Sequence, residues 1–219
     1  MRAVLVLSML VLALVGCGGG DDEATGGDTT TSTTEITECQ EVEAPESREP
    51  GSNEPPGDTL DESLTHTLTF DTSCGAFVVT LDTESARETA ASLFSLAEGG
   101  YFDDTIFHRV VPGFVIQGGD PTQTGGGGPG YSTVDPPATD AKYTKGVVAM
   151  AKTPTESAGT SGSQFFVVTG DDIGLPPEYA IVGEVTDGID TVERIDALGV
   201  GDGPPSQPVV VSTVTAASS

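Results

Sequence analysis

Tryptophan is absent from this 219-residue chain, and basic residues are scarce, with 8 Lys and Arg against 34 Asp and Glu. The resulting formal net charge of −26 repels phosphate backbones and anionic lipid headgroups, which argues against nucleic acid as a partner. Only 3 Cys and 2 His are present, too few for a disulfide-dense scaffold and poor material for a zinc ribbon. No apolar run reaches the roughly 20 residues that a membrane-spanning helix needs. Aromatic residues make up 5% of the chain while glycine is plentiful at 29. Length allows one domain of ordinary size with appendages.

What is present at the start reads as an address. Arg2 precedes an almost wholly apolar stretch, 3–15, with the layout of a secretory signal peptide. It closes on Leu14, Val15, Gly16 and Cys17, which looks like a bacterial lipobox, so residues 1–16 are expected to be removed and Cys17 lipidated. The alternative is an ordinary signal peptide in which Cys17 is incidental. Lipidation adds two or more acyl chains, enough for stable anchoring. Residues 17–60 then form a Gly/Thr/Glu/Pro-rich segment in which twelve acidic residues between Gly18 and Asp58 face one basic residue, Arg48. Such a composition cannot bury enough surface to offset its ordering entropy, so a disordered acidic tether is expected. Setting Cys17 aside leaves Cys39 and Cys74. In an oxidising compartment the even remainder suggests one disulfide, with two unpaired thiols as the alternative.

From about residue 61 to residue 219 the texture is that of a folded domain. Residues 65–70 and 75–81 alternate or are β-branched around the turn-forming 71–75, giving a hairpin. Strands are also expected at 106–111, 114–117, 146–151, 164–169, 179–185 and 209–215. Helical spacing occurs at 86–98, closed by Gly99 and Gly100, and at 189–198. Many short strands with two helices indicate a mainly β barrel or sandwich. The run 125–130 formally matches a dinucleotide-binding glycine pattern, but the Tyr131–Pro137 sequence after it cannot open the required helix, so it reads as a surface loop. Gly159 to Ser163 lacks the nucleophile-elbow spacing, and His66 and His108 have no metal-spaced partner. No cofactor or metal is therefore expected.

Two longer motifs remain: FHRVVPGFVIQGGD at 107–120 and SGSQFFV at 161–167, supported by LAEGGYFD at 96–103 and YAIVG at 179–183. Together they closely resemble the cyclophilin family of peptidyl-prolyl cis/trans isomerases over roughly residues 64–215. The resemblance implies an eight-stranded antiparallel barrel capped by two helices and Pro-containing polypeptides as substrates. It also places the catalytic arginine on Arg109, with Phe114 and Gln117 beside it. Phe166, Leu175, Val115, Gln164, Ala151 and Tyr179 fall at substrate-contacting positions. Departures from the family pattern are Val115 for Met, Lys152 for Asn, Tyr179 for His, and Gly174 where a Trp often precedes the leucine. A structural alternative for Arg109 is an ion pair with Asp104 or Asp120. The expected protein is a monomeric, lipid-anchored, extracytoplasmic isomerase acting on exported proteins. The alternative is a catalytically weak module that holds Pro-containing segments.

Overall fold

A computed structural model describes residues 38–219; the leader, Cys17 and the first part of the acidic segment lie outside the described residues. In chain order the elements are β1 (His66–Thr72), β2 (Gly75–Leu81), α1 (Arg87–Glu98), β3 (Thr105–Ile106), β4 (Arg109–Val111), β5 (Val115–Gly118), β6 (Thr133–Val134), β7 (Val147–Met150), β8 (Thr160–Ser161), β9 (Phe165–Val168), β10 (Ile181–Asp187), α2 (Ile189–Asp196) and β11 (Val210–Ser218). The main sheet runs β3-β11-β1-β2-β10-β7-β9-β5-β4, antiparallel at every pairing.

The two ends of that order are neighbours in sequence, separated by Phe107 and His108 alone. Ile106 pairs with Val210 and the Phe107 amide donates to the Val209 carbonyl at 3.1 Å, whereas Arg109 pairs with Gln117. Residues 105–111 thus act as one strand that changes partner midway. This closes the sheet into the expected eight-stranded barrel and leaves no open edge at the join. The sequence pattern assigned 106–111 as one unbroken strand. It did not reveal the ribbon of β6 and β8, whose two-residue strands are too short to carry a period.

Phenylalanine fills the barrel. Phe70 and Phe77 stack with ring centroids 4.8 Å apart, and Phe102 and Phe107 meet Phe165 edge-on at 6.1 Å. Around them pack Leu68, Val79, Ile116, Val148, Met150 and Val182. Helix α1 buries Ala90, Leu93, Phe94 and Ala97. Its third residue, Thr89, lacks an intrahelical acceptor for its amide, and Asp135 takes both that N–H (2.7 Å) and the hydroxyl (2.6 Å). Gly100, at φ +67°, ends the helix, with the Tyr101 amide reaching back to the Leu96 carbonyl at 2.9 Å.

The described part of the acidic segment departs from expectation. It lies along the domain as an extended strap instead of running free to residue 60. Cys39 is joined to Cys74 by a disulfide, Gln40 donates to the Ser73 carbonyl at 2.8 Å, and Arg48 donates its amide to the Pro121 carbonyl at 2.8 Å. Nearly all of these attachments use backbone groups, which composition does not register. The disulfide spans 35 residues, so replacing both cysteines by serine should lower the unfolding free energy by about 3–4 kcal/mol on the chain-entropy argument. Urea unfolding with and without reductant measures this; coincident curves would show that the link adds nothing.

Candidate active site

Strand parity builds the site. On β9, Phe165 and Val167 face the barrel interior, while Phe166 and Val168 belong to a second apolar cluster on the outer face. The same alternation puts Val115 and Gln117 of β5, and Ala149 of β7, outward while Ile116, Val148 and Met150 point in. Register then aligns one row across four strands: Arg109 opposite Gln117, Gln117 opposite Phe166, and Phe166 opposite Ala149. At about 4.8 Å between strands, a guanidinium, an amide and an aromatic ring lie side by side on one face.

That face forms a hollow of about 290 Å³ lined by Arg109, Phe114, Val115, Gln117, Ala151, Lys152, Phe166, Leu175 and Tyr179. Eight of the nine residues expected at the site therefore converge there. Gln164 does not line it. It lies one step away, lining an adjoining hollow of about 470 Å³ that shares Gln117, Ala151 and Lys152 with the first.

The floor is braced from behind. The buried Tyr143 donates its hydroxyl to the Tyr179 carbonyl at 2.8 Å and accepts from the Tyr179 amide at 3.0 Å. The Tyr179 ring meets Phe166 edge-on, centroids 5.7 Å apart. Lys152, a departure from the family pattern, is a wall of both hollows. Its side chain is 2% exposed, and its ammonium bonds Glu178 at 3.1 Å and lies 5.4 Å over the Tyr179 ring. That pairing ties the ammonium to the loop that carries Tyr179.

Arg109 anchors a relay. Its Nε and Nη2 donate to the Asp202 carboxylate at 2.6 and 3.3 Å, and Nη1 donates to Gln117 Oε1 at 3.2 Å. Gln117 Nε2 donates to Gln164 Oε1 at 3.1 Å, and Gln164 Nε2 donates to the Gly127 carbonyl at 2.9 Å. Among the described residues these contacts engage three of the five guanidinium N–H donors, leaving one on each terminal nitrogen without a partner there. The partner of Arg109 is thus Asp202, and neither Asp104 nor Asp120. Asp202 sits on the loop after α2, 93 residues from Arg109, and no local pattern marks it.

Asp120 has a different task. It is fully buried and accepts from Thr122, Thr124, Gly125 and Gly127, shaping the glycine-rich loop from inside. Burial works to raise its carboxyl, but these hydrogen bonds outweigh it and hold the group below its ordinary value. Next to Arg109, burial pushes the His108 imidazole below its usual range, helped by the Arg109 charge and opposed by Asp120. The neutral ring adds no second positive charge beside the guanidinium.

An antiparallel barrel with a cation at the lip of an aromatic hollow is the architecture of a protein that can hold an apolar ring beside a guanidinium donor. The family profile described as cyclophilin type peptidyl-prolyl cis-trans isomerase/CLD matches residues 67–216, and the chain belongs to that family of isomerases. A protein of Mycobacterium leprae described as a probable peptidyl-prolyl cis-trans isomerase A is 36% identical over 169 residues, 68% of this chain and 91% of its own length. The peptidyl-prolyl cis-trans isomerase-like 1 of Emericella nidulans is 38% identical over 132 residues, 58% of this chain and 80% of the relative. Among solved structures, a cyclophilin-type isomerase of Cryptosporidium parvum superposes with a TM-score of 0.65 at 29% identity, covering 71% of this chain and 99% of its own. The same protein solved in the presence of the dipeptide Ala-Pro gives 0.64 at 29% identity over 70% of this chain and 99% of its own.

Proposed function

We propose that this chain accelerates X-Pro isomerisation in exported polypeptides at the outer face of the cell membrane, held there by lipid on Cys17. Rotation about a peptide bond must break amide resonance, against a barrier of about 18–20 kcal/mol. In the twisted state the prolyl nitrogen turns pyramidal and regains a lone pair. A donor aimed at that lone pair favours the twisted form over either planar one, which is what catalysis requires. The free N–H groups of Arg109 supply that donor. A guanidinium keeps its charge and presents a rigid fork, and the surrounding apolar walls strengthen its contacts by excluding water. Phe114, Val115, Phe166 and Leu175 hold the pyrrolidine ring, Gln117 steadies the carbonyl oxygen that turns, and Ala151 and Gln164 meet the substrate backbone. No step needs a cofactor or a titrating base. The observation that carries this reading is the row Arg109–Gln117–Phe166 beneath one open hollow; a protease-coupled exchange assay on Xaa-Pro peptides tests it.

Asp202 is the positioning residue in this scheme, fixing the guanidinium plane from outside the hollow. Asp202→Ala should lower kcat about tenfold with KM nearly unchanged, and Asp202→Asn should recover part of the loss. The Arg109 hydrogen bond and charge hold the Asp202 carboxyl below its ordinary 3.8, so the carboxylate survives to lower pH than a free aspartate. Activity should therefore stay level from neutral pH down to that region and fall only below it, when protonation breaks the pair. A decline already complete at pH 5 would remove Asp202 from this role.

Support for the location comes from the lipobox sequence and from the acidic segment that follows it. No helix among the described residues is long and apolar enough to cross a membrane. Metabolic labelling with a fatty acid should mark the wild-type chain and not Cys17→Ala, which should move from the membrane to the soluble fraction; equal labelling of both would end the anchoring proposal. A second reading, that the hollow holds proline without turnover, draws on Val115, on Gly174 and on the hold of Asp202 on Arg109. It predicts peptide affinity with no acceleration.

A further inference from the structure

We propose that the strap, residues 39–53, is a built-in wall of the substrate-binding face, holding the glycine-rich loop in place for peptide that flanks the target proline. This rests on the isomerase reading above. The strap is fastened at five places along its length. After the Cys39–Cys74 link and the Gln40–Ser73 bond, Gln123 donates its side-chain amide to the Pro45 carbonyl at 2.9 Å. The Arg48 guanidinium then donates to the Tyr101 and Asp103 carbonyls at 2.6 and 2.9 Å. Last, the amides of Gly51 and Asn53 donate to the Gly128 and Pro129 carbonyls at 2.9 and 2.8 Å.

The final contact is fitted closely on both sides. A Cβ at Gly51 would lie 2.9 Å from the Tyr101 ring and 3.1 Å from Pro129 Cα, and one at Gly130 would lie 2.8 Å from the Gly51 carbonyl oxygen. Only backbone meeting backbone fits there. Pro50 and Gly51 thereby become lining residues of the larger hollow, facing Ala151, Thr153 and Gln164.

The glycine-rich loop beside it explains why a strap is needed. Four successive glycines, 125–128, would leave that loop with large conformational freedom. Asp120 accepts from the Gly125 and Gly127 amides on the inside, and the strap's amides hold the Gly128 and Pro129 carbonyls from outside. An extended peptide advances about 3.3 Å per residue. A chain with its proline against Phe166 therefore reaches the shared walls of Gln117, Ala151 and Lys152 within a few residues and enters the larger hollow. With the loop held in place, a long peptide binds without first ordering it.

The test compares the whole chain with Arg48→Ala and with the Cys39→Ser/Cys74→Ser pair, none of these residues lining either hollow. Folding of each variant is checked by thermal unfolding. A blocked Ala-Pro peptide should exchange within twofold of the parent rate, because it occupies only the smaller hollow. Longer peptides, varied at the three positions on each side of proline, should lose at least fivefold in kcat/KM, through KM, and preferences among flanking residues should flatten. Equal retention of both peptide classes, or equal loss of both in a folded variant, would overturn the proposal. Should the parent fail to accelerate even Ala-Pro, the isomerase reading fails separately. Amide shifts of residues 125–128 and 130 on adding a long peptide then decide the strap alone: present in the parent and absent in Arg48→Ala supports it, and unchanged in both refutes it.

Discussion

Replacing Arg109 with alanine is expected to lower kcat for Xaa-Pro exchange by about a hundredfold or more, with KM moving only a few-fold. The magnitude follows from removing one preorganised donor at a site where charge develops only in the transition state, which typically costs 10²–10³ in rate. The ground-state planar proline is held by Phe114, Phe166 and Leu175, which the substitution leaves in place, so binding survives. Arg109→Lys should recover little. An ammonium presents a point charge on a flexible stem and cannot serve Asp202, Gln117 and the prolyl nitrogen at once from a planar fork. A lysine variant with near-native turnover would show that charge alone suffices and that the relay is incidental.

The second large effect separates two adjacent residues. Phe165→Ala should destabilise the domain by about 3–5 kcal/mol, since that ring meets Phe70, Phe102 and Phe107 inside the barrel. Phe166→Ala should instead act mainly on KM. Its ring meets Tyr143 and Tyr179 on the outer face and lines the hollow. Both positions are almost fully buried, so burial alone does not distinguish them; the direction each side chain takes from the strand does. Chemical unfolding and steady-state kinetics on the two variants measure this. Similar stability losses with similar KM values would mean that the two faces of β9 are not functionally distinct.

The same strand shows how much of this protein its sequence made legible. Strands at 164–169 and 114–117 are legible in the sequence, and the motif resemblance gathers Arg109, Phe114, Val115, Gln117, Ala151, Phe166, Leu175 and Tyr179 into one site. Gln164 belongs to the neighbouring hollow, because it lies just before the first residue of β9, two residues from Phe166. Asp202 escaped notice for a physical reason: its role is set by the approach of two loops distant in sequence, and a lone acid among 34 carries no signal. The strap was hidden by the logic that usually identifies disorder. It buries few apolar side chains, and its attachment rests on backbone amides, one arginine and a disulfide. Composition reads hydrophobic burial well and does not count backbone hydrogen bonds. The change of partner at Phe107 and His108 was also invisible, since both halves of 105–111 are equally strand-like.

The relay from Asp202 to Gly127 links these points. It joins the loop after α2, the lip of the proline hollow and the glycine-rich loop, with Arg109 donating both to Asp202 and to Gln117, Gln117 donating to Gln164, and Gln164 to the Gly127 carbonyl. Arg109 engages Gln117 Oε1, which turns the Gln117 amide nitrogen toward Gln164, and Gln164 in turn toward the Gly127 carbonyl. A substitution at any one member should therefore disturb the orientation of the next, and double-variant cycles across Asp202 and Gln164 should be non-additive.

The role of Arg109 is tested by two-dimensional exchange spectroscopy on an Ala-Pro peptide in the presence of the protein, with the methyl signals of Val115 and Leu175 followed in the same sample. Cis–trans exchange peaks should appear with the wild-type chain and vanish with Arg109→Ala, while both methyl signals still shift as the peptide is added. Shifted methyls without exchange peaks in the wild-type chain, or exchange peaks that persist without the arginine, would contradict it.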